Sequence, residues 1–317
     1  MTSRPVLSVV IPVYNEHESL GELVESVERA AQPFGPYEIV FVDDGSTDGS
    51  LEALKTLAAT RPALRVFSFR RNLGKSPALT CGFQMARGEY VCTLDADLQD
   101  DPGGLAAMFA HMTRERVDVV SGWRKDRRDS LLKIVSSKIF NLLVIRVLFG
   151  RSFHDMNSGV KLYRSAVTRD LQLYGGMHRF IPIIAMELGY RVAEVPVTHH
   201  ARKYGVSKYR ATKILTELPD LLTLYFLMKY TARPLHFFGR IGSLLLLVGG
   251  GVLAYLSLLW TQGIGIGTRP LLMFGVLLVL IGGQTVFTGL LADLIVNVNR
   301  RGLQEFPLKF SSDTQPE

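Results

Sequence analysis

Cysteine is nearly absent from this chain: Cys81 and Cys92 are the two in 317 residues. That excludes a disulfide-stapled scaffold and reads as two small buried apolar side chains in a reducing compartment. No secretory leader is expected either, because the short apolar run in "MTSRPVLSVVIPVYNE" passes straight into polar residues. Charge is missing where it is most informative. Ile241 to Trp260 contains no charged residue, and a second run from Leu271 to about Val298 is interrupted only by Asp293. A helix of about 20 residues spans the roughly 30 Å hydrocarbon layer. Two transmembrane helices are therefore expected, at about 241–260 and 271–297, within a membrane region 233–300. Two buried core helices are the alternative, which the all-round apolarity of both runs disfavours.

The loop "TQGIGIGTRP" carries only Arg269, whereas Lys229, Arg233 and Arg240 precede the first span and Arg300, Arg301 and Lys309 follow the second. The positive-inside rule then predicts a multi-pass inner-membrane protein whose N-terminal part and 301–317 tail are both cytoplasmic. The formal charge of +7 suits an anionic bilayer and phosphorylated substrates beside such a hairpin, with no need of nucleic acid. The apolar content of 47% is ample for a sizeable core. Gly249 to Gly251 and Gly282 to Gly283 would let helices approach closely, which leaves a homo-oligomer open.

In the N-terminal part, β-rich runs alternate with helical patterns: "VLSVVIPVY", then 19–32; "YEIVFVDD", then 50–60; "LRVFSFR", then 76–86; "EYVCTLDAD", then 103–114. A further run, "VDVVSGW", follows. This alternation predicts crossover units and a mostly parallel α/β sheet, whose ligands sit at the carboxyl ends of the strands. Polar groups stand at four such ends: Tyr14, Asn15 and Glu16; Asp43 and Asp44; Arg71 and Asn72; Asp95 and Asp97. Two later segments, 131–149 and 211–232, are amphipathic without being long enough to span. They read as helices lying in the membrane interface, with ordinary core helices as the alternative.

The stretch "YVCTLDADLQDDP" places four aspartates within seven residues of a strand end. Asp95 and Asp97 would point to opposite faces of an extended strand, and a turn beginning there can bring one or both onto a cation. Hard divalent ions take a few carboxylates and complete their shell with water and phosphate oxygens. Asp100 or Asp101, ahead of Pro102, is the helix cap of "PGGLAAMF". In "VDDGSTD" two carboxylates and a glycine turn suit a base amide or ribose hydroxyls, or an Asx turn capping the next helix.

Taken in order and spacing, "VVIPVYNE", "VDDGSTDGS", "RNLGKSPAL" and "LDADLQDDP" resemble the family 2 glycosyltransferases of the GT-A, Rossmann-like, nucleotide-sugar fold. The resemblance covers about residues 1–210. "NSGVKLYR", "HRFIP" and "RKYGVSKY" are similar to the branch that contains dolichyl-phosphate mannosyltransferases and bacterial polyprenyl-phosphate glycosyltransferases. The Q-x-x-R-W signature of processive synthases is absent. The resemblance implies that Pro12, Tyr14 and Glu16, with Asp43 and Asp44, hold the nucleoside. It implies Mg²⁺ or Mn²⁺ at Asp95 and Asp97, with Gln99 close by. Arg71, Lys75, Arg179, Arg202 and Lys208, with Ser207 among them, become candidates for phosphate contacts.

Asp97, Arg202 and Lys208 are thereby implied in catalysis. The implied reaction is inverting transfer of one sugar from a UDP-glucose or GDP-mannose type donor to polyprenyl phosphate on the cytoplasmic leaflet. Some relatives carry an acidic residue directly after the glycine of "NSG", where Val160 stands here. Asp155 is then a candidate substitute base, and whether any side chain acts as base stays open. A membrane hydroxyl acceptor such as diacylglycerol, or a non-catalytic nucleotide-sugar-binding scaffold, are the competing readings.

Overall fold

The computed structural model describes residues 4–125, 153–200, 203, 223, 225–226, 229–230, 233–267 and 269–300. The expected interface segment 131–149 and most of 211–232 lie outside the described residues, as do Arg202, Ser207 and Lys208. The chain divides into two compact units, Met1–Leu221 and Leu222–Glu317.

In the first unit, seven strands among the described residues form one sheet: β1 (Leu7–Val13), β2 (Tyr37–Asp43), β3 (Leu64–Ser68), β4 (Tyr90–Thr93), β5 (Val119–Arg124), β6 (Lys161–Arg164) and β7 (Val192–Val197). Their spatial order is β3-β2-β1-β4-β6-β5-β7. All pairings are parallel except the two made by β6, which runs antiparallel to β4 and β5. The mostly parallel sheet matches expectation; β6 and β7 were not anticipated. Helices α1 (Leu20–Ala31), α2 (Ser50–Thr60), α3 (Lys75–Met85) and α4 (Leu105–Glu115) follow the first four strands. Two short helices, α5 (Ser165–Asp170) and α6 (Ile181–Glu187), come later.

Both sheet faces are covered, which is why the strands read as continuous apolar runs. Leu7, Val9, Ile11 and Val13 join Leu20, Leu23, Val24 and Val27 of α1 and Met108 and Met112 of α4 in one core. Val10, Val40 and Val42 point to the other face, where Ala78, Leu79 and Phe83 of α3 are also buried. Each such side chain contributes about 1.5–3 kcal/mol on burial. At the amino-terminal edge of the sheet, buried Glu38 accepts from Ser8 Oγ at 2.6 Å, Arg87 N at 2.6 Å and an Arg65 guanidinium nitrogen at 2.7 Å. That network ties β1, β2, β3 and the α3–β4 turn together, far from the carboxyl edge.

The second unit contains α7 (Pro234–Thr261) and α8 (Pro270–Arg300). The 28 residues of α7 and the 27 residues Pro270–Val296 of α8 are long and apolar enough to cross a membrane, and little of either is buried within the protein. Glycines form their contact: a Cβ on Gly242 would lie 2.7 Å from the Gly282 carbonyl oxygen, and one on Gly249 would lie 3.0 Å from that of Gly275.

Candidate active site

The strand order reverses at β1, whose neighbours are β2 on one side and β4 on the other. At such a switch point the loops leaving adjacent strands part and open a crevice. A cleft of about 300 Å³ lies there, lined by Pro12, Val13, Tyr14, Glu16, Asp44, Asn72, Gly74, Lys75, Ala78, Asp95, Ala96 and Asp97. The ends of β1, β2 and β4 and the β3–α3 loop all contribute to it.

Local chemistry holds these loops in place. Asn15, at φ 54°, accepts from Thr47 N at 2.8 Å, and Glu16 N donates to Ser50 Oγ at 3.1 Å, which latches the β1 loop to the β2 loop. Asp48 accepts from Ser50 N at 3.0 Å in an Asx turn that leads into α2, whose N-cap is Gly49. Gly45 has φ 67°, and a Cβ there would lie 2.5 Å from the Arg71 carbonyl carbon, so a glycine is needed for the two loops to touch. Asp44 completes the join, its two oxygens accepting from Leu73 N at 2.7 Å and Gly74 N at 2.9 Å.

Of the residues expected at the nucleoside, Pro12, Tyr14, Glu16 and Asp44 line the cleft and Asp43 does not. Asp43 is 1% exposed and accepts from Ser46 N at 3.2 Å and Ser68 Oγ at 2.7 Å, so it braces the turn. Arg71 is exposed beside the cleft and is not among its lining residues.

Asp95 and Asp97 both reach the cleft because the chain turns sharply after β4, with Leu98 at φ 58°. Such a conformation in a branched residue is costly and recurs at functional sites. Lys75 Nζ lies 2.5 Å from Asp95 Oδ1. Burial alone would raise the Asp95 pKa, but Lys75, with Lys161 and Arg124 behind it, outweighs burial and holds the carboxyl below its usual range. Asp97 accepts from Gln99 N at 3.3 Å. Gln99 itself is not among the lining residues; its carbonyl accepts from His200 N at 2.7 Å. Asp101 is the cap, accepting from Gly103 N at 2.8 Å ahead of Pro102. Asp100 turns inward, 5% exposed, where burial pushes its carboxyl up to about 6 despite Arg124 nearby.

Of the charged shell behind the cleft, the sequence singled out Asp155 but not Arg124, Lys161 or Glu194. Arg124, ending β5, grips Asp155 with two bonds of 2.6 and 3.0 Å. Asp155 is 1% exposed. Glu194 of β7 fixes that loop by accepting from Asp155 N at 3.0 Å and His154 N at 2.9 Å, and the His154 ring stacks on Trp123. Lys161 opens β6 almost fully buried and donates to the Ser158 carbonyl. Burial and neighbouring Lys75 bring its pKa down to about 8, with Asp155 and Asp95 opposing. Gly159 lies directly against Asp95: a Cβ would sit 2.6 Å from the carboxylate carbon and 2.9 Å from Asp100 Oδ2.

On the other flank, Ser76 Oγ accepts from His178 N at 3.1 Å and lies 3.0 Å from His178 Nδ1. Burial, with Lys75 and Arg179 adjacent, lowers the His178 pKa to about 3, so the ring is neutral. Arg179 is half-buried in the same short turn, Met177–Arg179.

The cleft can bind a diphosphate. The N-cap of α3, Gly74, offers no side-chain cap; Asp44 takes the Gly74 N–H, and the first helical residue, Lys75, brings its backbone N–H and its ammonium to the cleft. The donor set also fits a hard divalent cation: two carboxylates, one kept ionised, in a cleft open enough for phosphate and water to complete the shell.

The profile of "Glycosyl transferase family 2" matches residues 8–172, more than half of the chain. This chain belongs to that family. Its α/β unit is of GT-A type. The family 2 glycosyltransferase is 40% identical over 315 residues to a dodecaprenyl-phosphate galacturonate synthase of Rhizobium johnstonii, covering 95% of this chain and 91% of that one. It is 37% identical over 297 residues to an undecaprenyl-phosphate 4-deoxy-4-formamido-L-arabinose transferase of Edwardsiella ictaluri, covering 91% and 88%. Among solved structures it shares the fold of a Pyrobaculum calidifontis mannosyltransferase in complex with GDP-Man and Mn²⁺, at TM-score 0.53 and 19% identity, covering 96% of this chain and 78% of that one. A Mycobacterium tuberculosis glucosyl-3-phosphoglycerate synthase with Mn²⁺ and UDP-glucose aligns at TM-score 0.52 and 20% identity, covering 71% and 78%.

Proposed function

We propose that this enzyme transfers one sugar from a nucleoside-diphosphate sugar to polyprenyl phosphate at the cytoplasmic face of the inner membrane. The supporting observation is the switch-point cleft, where Asp95, Asp97, Lys75 and the open end of α3 meet, in a chain related over nearly its whole length to two polyprenyl-phosphate sugar transferases. UDP-glucose and GDP-mannose type donors are the expectation from sequence. The two relatives are named for galacturonate and a formamido-arabinose, so uronate and pentose donors belong in the test.

Pro12, Tyr14 and Glu16 bind the nucleoside, and Lys75 with the α3 terminus binds the diphosphate. Asp95 and Asp97 hold Mg²⁺ or Mn²⁺, which when bound supplies Lewis-acid stabilisation to the departing diphosphate. In the reaction an acceptor phosphate oxygen forms a bond to the anomeric carbon as the bond to the diphosphate breaks, and the electron pair leaves on the nucleotide. A phosphate monoester with second pKa of about 6 is largely ionised at neutral pH, so the acceptor needs little help from a base. Asp155 is then a positioning residue: buried and held by Arg124, it aims the guanidinium. Val160, where an acid stands in some relatives, is a core residue here.

α7 and α8 form the membrane hairpin, with the Arg269 loop outside and the more basic flanks inside. The test is a donor panel of UDP- and GDP-linked hexoses, a uronate and a pentose, with polyprenyl phosphate and Mg²⁺ or Mn²⁺, read by product mass. A sugar-phosphate lipid that disappears with chelator and with Asp97→Asn is expected. Sugar on a hydroxyl lipid, or full turnover by Asp97→Asn, would overturn the reading.

A further inference from the structure

α8 carries two stripes with the same seven-residue period. Gly275, Gly282 and Gly289 face α7: Cβ atoms there would lie 3.0 Å from Leu253, 2.9 Å from the Gly242 carbonyl oxygen and 2.8 Å from Phe238. The other stripe is Leu277, Leu280, Gln284, Phe287, Leu291 and Leu294, all exposed, in alternating steps of three and four. At 3.6 residues per turn its centre lies about 170° around the helix from the glycines. One stripe closes the hairpin, and the other faces outward.

The outward stripe contains a polar group in an unfavourable place. Gln284 lies at the middle of the apolar span Pro270–Val296, close to the centre of the hydrocarbon layer. Thr285 and Thr288 are satisfied within the helix by donating to the Ile281 and Gln284 carbonyls at 2.7 and 2.9 Å. The Gln284 carboxamide bonds to no group among the described residues. Acyl or polyprenyl chains could cover the leucines but cannot satisfy an amide. A second carboxamide can, because the group is donor and acceptor at once.

Copies of one membrane protein share a topology, so a second α8 would run parallel to the first. In a parallel pair with this spacing, the stripe position of Gln284 meets its own counterpart across the two-fold axis, and a single polar residue there sets register. We propose that α8 is a homodimerisation helix: its outward stripe is covered by the same stripe of a second copy, with reciprocal Gln284 hydrogen bonds. The proposal rests on the membrane reading of α7 and α8.

The full-length chain in liposomes is tested first for resistance to alkaline carbonate extraction, then for dimerisation by energy transfer between labelled copies. Dimers are expected, with Gln284→Leu weakening association roughly tenfold and Gln284→Asn retaining most of it. Leu280→Cys and Leu291→Cys chains should cross-link on oxidation above the background of the parent cysteines, whereas Leu247→Cys on the exposed face of α7 should not. Extraction by carbonate would overturn the membrane reading and the proposal with it. A resistant chain that stays monomeric, an unchanged dissociation constant for Gln284→Leu, or equal cross-linking at Leu247 would overturn the dimer alone.

Discussion

The ammonium of Lys75 stands 2.5 Å from Oδ1 of Asp95, joining the first turn of α3 to the end of β4 across the candidate donor cleft. Both side chains are about one-third exposed, so the pair contributes little to stability. Its value lies in keeping Asp95 ionised and placing an ammonium where a diphosphate would arrive. Lys75→Met should raise the donor KM by roughly 10- to 100-fold, the loss of a hydrogen bond to a charged group, with a melting temperature within a few degrees of the parent. Steady-state kinetics against donor concentration reads this directly. An unchanged donor KM would remove Lys75 from the diphosphate site.

Gly159 allows the loop before β6 to close onto the Asp95 carboxylate, and Thr93 Oγ1 pins that loop by donating to the Gly159 carbonyl at 3.0 Å. A methyl group there would meet Asp95 and Asp100 together. Gly159→Ala should displace the Asp95 carboxylate by about an ångström, and such misplacement costs on the order of 10²-fold in rate. Mn²⁺ titration followed by electron paramagnetic resonance, with nucleoside diphosphate present, should show weakened binding. Tight Mn²⁺ binding by a folded Gly159→Ala chain would show that Asp95 is not displaced or is not a ligand.

The legibility of this chain followed the range of the forces involved. β1 to β5 and the helices after the first four could be read because apolar runs bounded by turn residues report burial locally. β6 escaped because "KLYR" begins and ends with a cation, although Lys161 is only 3% exposed. β7 escaped because Glu194 and Pro196 interrupt it, which the sheet tolerates since β7 pairs only with β5 at the edge. Asp95 and Asp97 were legible as a carboxylate pair at a strand end, and both line the cleft. Yet Asp100 and Asp101 were equivalent as caps until the fold turned one inward. Arg124 stood at the end of an anticipated strand, but its meaning depends on Asp155, 31 positions later.

Asp155 separates two roles that one substitution can distinguish. A general base would leave its pKa in the acid limb of the rate profile. The structure buries Asp155 against Arg124, which suits a positioning residue for an acceptor that arrives ionised. Asp155→Asn should raise the acceptor KM and leave the shape of the kcat–pH profile unchanged. Leaving Arg124 buried without its partner should also cost about 3–5 kcal/mol of stability, visible in denaturant unfolding. Loss of the acid limb in Asp155→Asn would instead make it the base.

His178 gives a pH test of the fold. Its pKa falls from 6.5 to about 3 through burial, with Lys75 and Arg179 adding to the shift. Between those values the unfolded chain binds a proton that the folded chain refuses, so stability is fully present above pH 6.5 and declines as pH falls toward 3. The ring is not fully enclosed, so solvent screening makes about 2 kcal/mol at pH 5 an upper bound. His178→Asn keeps an amide able to meet Ser76 and removes the titration. Chemical unfolding at pH 5 and pH 7.5 should therefore show a smaller difference for the variant than for the parent. Equal pH dependence in the two chains would mean that His178 is protonated in the folded enzyme, and that a ring beside Lys75 has found a carboxylate partner close enough to offset its burial.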